Sequence, residues 1–123
     1  MLKKQSILLV DDDEFAQNFV RAVLQRAGFQ VSCAEDVGTA LECHEHGQFD
    51  VVITDWNLPD GTGGQLLDSL KSRNDTLPVI LITGETQENP AQLKDQPHRF
   101  EAILHKPFSP RILETTVRES IKA

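Results

Sequence analysis

Short apolar runs alternate along the chain with longer segments in which apolar residues recur at helical spacing. Such runs are typical of strands that are covered on both faces, because these strands need no polar alternation. The longer segments place their apolar residues on one face of a helix. The predicted strands are Ser6–Val10, Val31–Ala34, Val51–Thr54, Pro78–Thr83 and Ala102–His105.

Capping residues and glycines mark the ends of the predicted helices. A polar side chain before a helix accepts hydrogen bonds from its first amide groups, and a glycine after it lets the chain turn away. The weakest segment is the polar stretch 84–99, where Asn89 and Pro90 supply a cap and a first residue for a short helix. The other predicted helices run from Ala16 to Ala27 before Gly28, from Asp36 to Gly47, around Leu66–Leu70 before Asn74, and from Ser109 through Ile121.

Alternating strands and helices predict an α/β fold with five parallel strands and five helices. Helices cover both faces of such a sheet, and short right-handed connections leave the doubly wound arrangement. The 123 residues suffice for one domain with a substantial core, which we expect to span 1–123. The strand Val31–Ala34 is the least apolar and should lie near a sheet edge, whereas His105 in the last strand is predicted to pack in the interior.

Composition argues against several classes of function. The chain carries 12 basic and 19 acidic residues, and this net charge of −7 argues against a nucleic-acid-binding surface. The apolar run after the basic start is too short for a signal peptide or a membrane span. Two cysteines, Cys33 and Cys43, are too few for a disulfide framework. We therefore expect reduced thiols and a cytoplasmic location.

Polar side chains occupy the carboxyl ends of four predicted strands. Asp11 and Asp12 follow the first strand, and Asp55 follows the third. Thr83 ends the fourth strand, and Lys106 follows the fifth. In doubly wound folds, ligands bind at the edge of the sheet where the carboxyl ends of the strands meet. Acidic groups, a hydroxyl and an ammonium at that edge suit chemistry on a phosphoryl group.

The clustered carboxylates predict a magnesium site. Asp11, Asp12 and Asp55 would repel one another by about 4 kcal/mol for each pair at about 4 Å and an effective dielectric constant near 20. A hard divalent cation relieves that repulsion, and oxygen ligands with room for water suit Mg²⁺. Carboxylates are ionised at neutral pH, so Asp55 needs no general base to attack phosphorus.

In their order, spacing and strand positions, Asp11-Asp12, Asp55, Thr83 and Lys106-Pro107 resemble the receiver domain of two-component response regulators. The resemblance covers nearly the whole chain and implies a flavodoxin-like fold with strand order 2-1-3-4-5. It implies that Asp55 accepts a phosphoryl group from a phosphohistidine, while Thr83 and Lys106 bind the new phosphoryl oxygens. It also implies a cis peptide bond between Lys106 and Pro107.

The metal ligands of the family also correspond to residues of this chain. The resemblance implies that Asp12 binds Mg²⁺ directly and that Asp11 acts mostly through water. Asp55 and the backbone carbonyl of Asn57 would complete the protein ligands. Asp13 is expected to cap the first helix instead of binding metal.

The resemblance implies partners as well as chemistry. A sensor histidine kinase or a histidine phosphotransfer protein would supply the phosphoryl group, and a downstream effector domain or protein would respond. A phosphorylation-dependent dimer is compatible with this role, but direct contact with nucleic acid or membrane is not expected. Phe15 is predicted to be exposed, either as a docking contact for the donor or as a scattered surface residue. Ile103 stands where the family usually has an aromatic residue that takes part in switching.

Two other functions remain open at this point. An aspartyl-nucleophile phosphatase of the haloacid-dehalogenase type has similar parts, but it needs a second aspartate two residues after the nucleophile. This chain has Asn57 at that position. A degenerate receiver that only binds partners is the other alternative, and the presence of every residue of the motif argues against it.

Overall fold

The apolar runs form strands, as the sequence predicts. The computed structural model describes residues 4–74, 76–84 and 100–122. Two short strands that were not predicted lie in the turn after Asp55. In chain order the strands are β1 Ser6–Val10, β2 Gln30–Ala34, β3 Val51–Asp55, β4 Asn57–Leu58, β5 Gly61–Thr62, β6 Val79–Thr83 and β7 Ala102–His105.

Five of these strands form one parallel sheet in the order β2-β1-β3-β6-β7. This order is the predicted 2-1-3-4-5 when only the strands of the sheet are counted, so the flavodoxin-like doubly wound fold is confirmed. The strands β4 and β5 form a separate antiparallel ribbon. The least apolar strand, β2, lies at one edge of the sheet, as expected.

Four helices lie within the described residues, namely α1 Glu14–Arg26, α2 Val37–His46, α3 Gly63–Arg73 and α4 Pro110–Lys122. The predicted caps are present. The Asp13 carboxylate accepts a hydrogen bond from the Phe15 N–H at 3.1 Å, and Asp36 accepts one from the Thr39 N–H at 2.7 Å. The short helix predicted from Asn89 and Pro90 falls in 85–99, outside the described residues.

Apolar residues from both faces of the sheet form two cores. The strand residues alternate between them, so neighbours on β1 such as Ile7 and Leu8 belong to different cores. Helices α1 and α4 cover one face through Val20, Leu24, Leu113 and Val117, among others. Helices α2 and α3 cover the other face through Ala40, Leu66, Leu67 and Leu70.

His105 is exposed, so the prediction that it packs in the interior is wrong. It belongs to β7, which is an edge strand, and the buried residue beside it is Leu104. Both cysteines are free thiols. Over the residues that the structure describes, no helix has the length and apolar character needed to span a bilayer.

The sheet register sets which polar residues can meet. Val10 pairs with Thr54, so the residues that follow them, Asp11 and Asp55, leave neighbouring strands side by side. Asp55 pairs in turn with Ile82, the residue before Thr83. The carboxyl ends of the three central strands therefore converge on one edge of the sheet.

Candidate functional site

The structure brings together the three carboxylates that the sequence singles out. One ligand oxygen from each of Asp11, Asp12 and Asp55 lies within 4.8 Å of the other two. Asp11 is buried, Asp55 is half-buried and Asp12 is exposed. The group therefore forms an open acidic cluster with one side toward solvent.

Asp11 is the buried member of this cluster. Its Oδ1 accepts a hydrogen bond from the Asp13 N–H at 2.9 Å, and its Oδ2 lies 3.8 Å from the Lys106 Nζ. Burial raises the pKa of the Asp11 carboxyl, and the Asp13 N–H and the Lys106 ammonium oppose that rise. Because the pKa of Asp11 is higher in the folded protein than in the unfolded chain, ionisation of Asp11 lowers the free energy of unfolding. This loss of stability is complete at a pH above the folded pKa.

This donor set fits a magnesium ion. Three carboxylates within 4.8 Å repel one another by about 3 kcal/mol per pair at an effective dielectric constant near 20, and by less where Asp12 meets water. Lys106 pairs with Asp11 of the cluster, and its side chain is one-third exposed. Oxygen ligands around an open position are the arrangement in which Mg²⁺ keeps some of its water.

Asp55 is held where strand β3 meets helix α3. Its Oδ1 accepts a hydrogen bond from the Trp56 N–H at 2.8 Å, and the Trp56 carbonyl accepts one from the Gly63 N–H at 2.7 Å. A Cβ atom on Gly63 would lie 2.5 Å from the Asp55 backbone oxygen. The first turn of α3 can therefore approach Asp55 this closely only because residue 63 has no side chain.

Thr83 and Lys106 lie at adjoining strand ends. Thr83 is fully buried, and its hydroxyl donates to the Gly84 carbonyl at 3.1 Å. The Lys106 N–H donates to the Thr83 carbonyl at 2.9 Å. The Lys106–Pro107 peptide bond is cis, as the resemblance implied.

Aromatic and apolar residues near the site differ from the family pattern. Ile103 on β7 stands where the resemblance implies an aromatic residue, and 41% of its surface is exposed. Phe100, just before β7, packs edge-on against Trp56 with 6.5 Å between ring centroids. Trp56 is almost fully buried beside Asp55, so its fluorescence should respond to changes at the site.

The ribbon after Asp55 also holds helix α2. Asn57, the predicted ligand through its carbonyl, is exposed and pairs with Thr62. Between these residues Asp60 reaches across to the start of α2. Its two carboxylate oxygens accept hydrogen bonds from the Val37 N–H at 2.8 Å and the Gly38 N–H at 2.9 Å. We call this contact the Asp60 clamp.

Acid is expected to release the Asp60 clamp. The N–H groups of Gly38 and Val37 lower the pKa of the Asp60 carboxyl from its ordinary value of 3.8. The unfolded chain then binds the proton more readily, so this stabilisation is present above the ordinary value and is lost as pH falls through the folded pKa. Asp60→Asn should lower the melting temperature at neutral pH, and its difference from the parent protein should shrink in acid.

Thermal unfolding at about pH 7 and about pH 3 measures this effect. Glu45→Gln, which removes a charge from an exposed position on α2, is the matched control and should change little. A melting-temperature difference between Asp60→Asn and the parent that is the same at both pH values would contradict the expectation.

Sequence patterns did not identify three residues that contact the site, namely Asp60, Gly63 and Gln17, whose side-chain Nε2 donates to the Asp11 carbonyl at 3.0 Å. For Gly63 a signal was present, because Thr62 and Gln65 form a capping box that places the start of α3 directly after Thr62. The Asp60 clamp and the contacts of Gln17 join segments distant in sequence, so no local pattern reveals them.

Comparisons with known proteins agree on one family. The sequence matches the family described as "Response regulator receiver domain" over residues 7–118. Chemotaxis protein CheY of Pseudomonas aeruginosa is 30% identical over 116 residues, which cover 92% of this chain and 93% of that protein.

Solved structures show the same likeness. The chemotaxis response regulator CheY4 of Vibrio cholerae has a TM-score of 0.84 at 30% identity, covering 96% of this chain and 99% of that chain. A CheY-like response regulator receiver domain protein from Methanospirillum hungatei has a TM-score of 0.89 at 26% identity, covering 98% and 95%.

Proposed function

The chain belongs to the response regulator receiver domain family, and we propose that Asp55 is its phosphoacceptor, taking a phosphoryl group from a phosphohistidine partner in a Mg²⁺-dependent reaction. The observation that carries this proposal is the acidic cluster with Lys106 beside it. One carboxylate oxygen from each of the three aspartates lies within 4.8 Å of the other two, and the Lys106 ammonium lies 3.8 Å from the Asp11 Oδ2. We extend the proposal to the whole of 1–123 as a single receiver domain.

The chemistry at Asp55 is a direct displacement. One carboxylate oxygen forms a bond to phosphorus, the bond from phosphorus to the histidine nitrogen breaks, and the leaving imidazole regains a proton from solvent. A carboxylate in its ordinary ionised form needs no base for this step. The product is an acyl phosphate on Asp55, which water later hydrolyses to inorganic phosphate and the free Asp55 carboxylate.

Other residues hold the phosphoryl oxygens and the metal. Lys106 supplies a positive charge next to the acceptor, and the Thr83 hydroxyl turns from the Gly84 carbonyl to a phosphoryl oxygen. Asp12, Asp55 and the Asn57 carbonyl would hold Mg²⁺ directly, with Asp11 acting mostly through water. When bound, Mg²⁺ neutralises charge that develops on the transferred group. Positioning and electrostatics thus do most of the catalysis.

This role makes the protein a phosphoacceptor that catalyses only its own phosphorylation and dephosphorylation. A phosphatase acting on separate substrates would need an acid two residues after the nucleophile, and Asn57 cannot supply a proton in that way. Sustained turnover of a small phosphate ester, such as p-nitrophenyl phosphate, would favour the phosphatase. Absence of any covalent phosphoryl group would favour a receiver that only binds partners.

The direct test is incubation with Mg²⁺ and acetyl phosphate, followed by intact mass and Trp56 fluorescence. We expect one added phosphoryl group, about 80 Da, that depends on Mg²⁺. Sizing the protein before and after this reaction tests whether a dimer forms on phosphorylation. A location in the cytoplasm is part of the proposal, since free cysteines suit a reducing compartment.

Receiver domains of response regulators work with histidine kinases and effector domains, and we propose a donor docking site beside the acceptor. Phe15 has 88% of its surface exposed, and the Phe19 ring packs against the Phe108 ring at a tilt of 54°, with 6.1 Å between centroids. These rings line a groove of about 380 Å³, and Asp11 and Lys106 belong to its lining as well. A kinase or a histidine phosphotransfer protein seated there would bring its phosphohistidine to the acidic cluster.

Phe15→Ala should slow phosphotransfer from the cognate donor protein about 10-fold, because the loss of an aromatic side chain that acts as an interface hot spot costs more than about 1 kcal/mol. Phosphorylation by acetyl phosphate should stay unchanged, because the small donor does not use the groove. Ile112→Ala removes another exposed apolar side chain and serves as the control. Unchanged transfer from the cognate partner to Phe15→Ala would refute the docking role.

A further inference from the structure

Gln17 lies behind the acidic cluster and joins two strand ends. It sits in the first turns of α1, half-buried. Its side-chain Nε2 donates to the Asp11 carbonyl at 3.0 Å and approaches the Ala34 carbonyl at 3.4 Å. The Asp11 N–H donates to the same Ala34 carbonyl at 3.0 Å. The amide group of Gln17 therefore fastens the end of β1 to the end of β2.

The bond to the Asp11 carbonyl also affects Asp12. That carbonyl and the Asp12 N–H belong to one planar peptide unit, so fixing the oxygen fixes the plane from which Asp12 projects. On the other side of Asp12, the Asp13 N–H is bonded to the Asp11 carboxylate at 2.9 Å. Asp12 is itself exposed, so the direction in which its side chain projects depends on the backbone hydrogen bonds on both sides of it.

From these contacts we propose that Gln17 is a positioning residue for the magnesium ligands, acting through the Asp11–Asp12 peptide. The inference rests on the proposed function, because it assumes that the acidic cluster binds Mg²⁺. Partners that orient metal ligands without touching the metal commonly change metal affinity 10- to 100-fold. A side chain that served only to stabilise α1 would lower the melting temperature and leave metal affinity unchanged.

The test is a Mg²⁺ titration of Gln17→Met, followed by Trp56 fluorescence. Methionine keeps the length and bulk of glutamine but cannot donate a hydrogen bond. We expect a dissociation constant for Mg²⁺ about 10-fold higher than in the parent protein, at a temperature where both are folded. At saturating Mg²⁺ the rate of phosphorylation by acetyl phosphate should return to within about 2-fold of the parent.

Gln25→Met is the matched control, since it makes the same chemical change at an exposed position near the end of α1. Gln17→Ala is a second variant that removes the amide without adding bulk. If Gln17→Met and Gln17→Ala bind Mg²⁺ with the affinity of the parent, the proposal is wrong. If the parent protein itself shows no Mg²⁺ binding, the proposed function is wrong, and the role of Gln17 that depends on it is wrong as well.

A measurement on the parent protein needs no variant. Resonances of the Gln17 side-chain amide should shift during a Mg²⁺ titration, whereas those of Gln25 should not. Gln17 resonances that stay fixed while the Trp56 signal saturates would overturn the positioning role. The same titration followed at the Asp12 amide reports directly on the peptide unit that Gln17 holds.

Discussion

Asp55→Asn is expected to abolish phosphoryl incorporation. The asparagine amide has nearly the shape of the carboxylate and can still accept the Trp56 N–H bond through its oxygen. It lacks the negative charge and the nucleophilic oxygen that attack on phosphorus requires. After incubation with Mg²⁺ and acetyl phosphate, the variant should show none of the added mass of about 80 Da seen in the parent protein.

Asp50→Asn is the control for this result. Asp50 precedes the first residue of the same strand, β3, and its carboxylate accepts a hydrogen bond from the Ser6 N–H at 2.7 Å. The variant loses one negative charge at the opposite end of the strand, so it should be phosphorylated like the parent. A phosphoryl group found on Asp55→Asn at parental yield would place the acceptor elsewhere and refute the proposed chemistry.

Asp55→Asn should also weaken Mg²⁺ binding and change the fluorescence response of Trp56. The acidic cluster loses one of its three carboxylates, so Mg²⁺ affinity should fall. Trp56 is buried beside Asp55, and its fluorescence response to acetyl phosphate should disappear. A response to acetyl phosphate that persists without the added mass would indicate noncovalent binding of the small molecule.

The strand ends could be predicted because parallel strands impose simple geometry. Apolar runs located β1, β3 and β6, and the polar residues that follow them had to meet at one edge. The strand pattern predicted Asp11, Asp12, Asp55 and Thr83 as residues of this edge. It failed at His105, because a short apolar run does not reveal whether its strand is central or lies at an edge.

Residues that support the site were harder to predict, since their partners are distant in sequence. Gln17 bonds Ala34, and Asp60 bonds Val37 and Gly38, in each case across a tertiary contact. The two short strands around Asp60 were not predicted, because each contains too few residues to show a periodic pattern. Hydrophobic patterns thus predict which elements form, whereas side-chain bonds between elements require their packing to be known.

Gly63→Ala should both destabilise the fold and impair the acceptor. The new Cβ atom would lie 2.5 Å from the Asp55 oxygen and 3.3 Å from the Trp56 Cα, which are backbone atoms that cannot rotate away. Either the end of β3 or the start of α3 must shift. Such overpacking typically costs about 1–3 kcal/mol, and we expect the upper end because Gly63 is buried.

A shift at Asp55 should also lower the phosphorylation rate, because displacements of about 1 Å can reduce a rate about 100-fold. Gly84→Ala is the matched control, since a Cβ there meets no atom of the described residues within 4 Å. Urea unfolding and the acetyl phosphate reaction measure the two effects at a temperature where both variants are folded. If Gly63→Ala matches Gly84→Ala in both, α3 can move away from β3 at little cost. The close approach of Gly63 to Asp55 would then have no part in holding the acceptor.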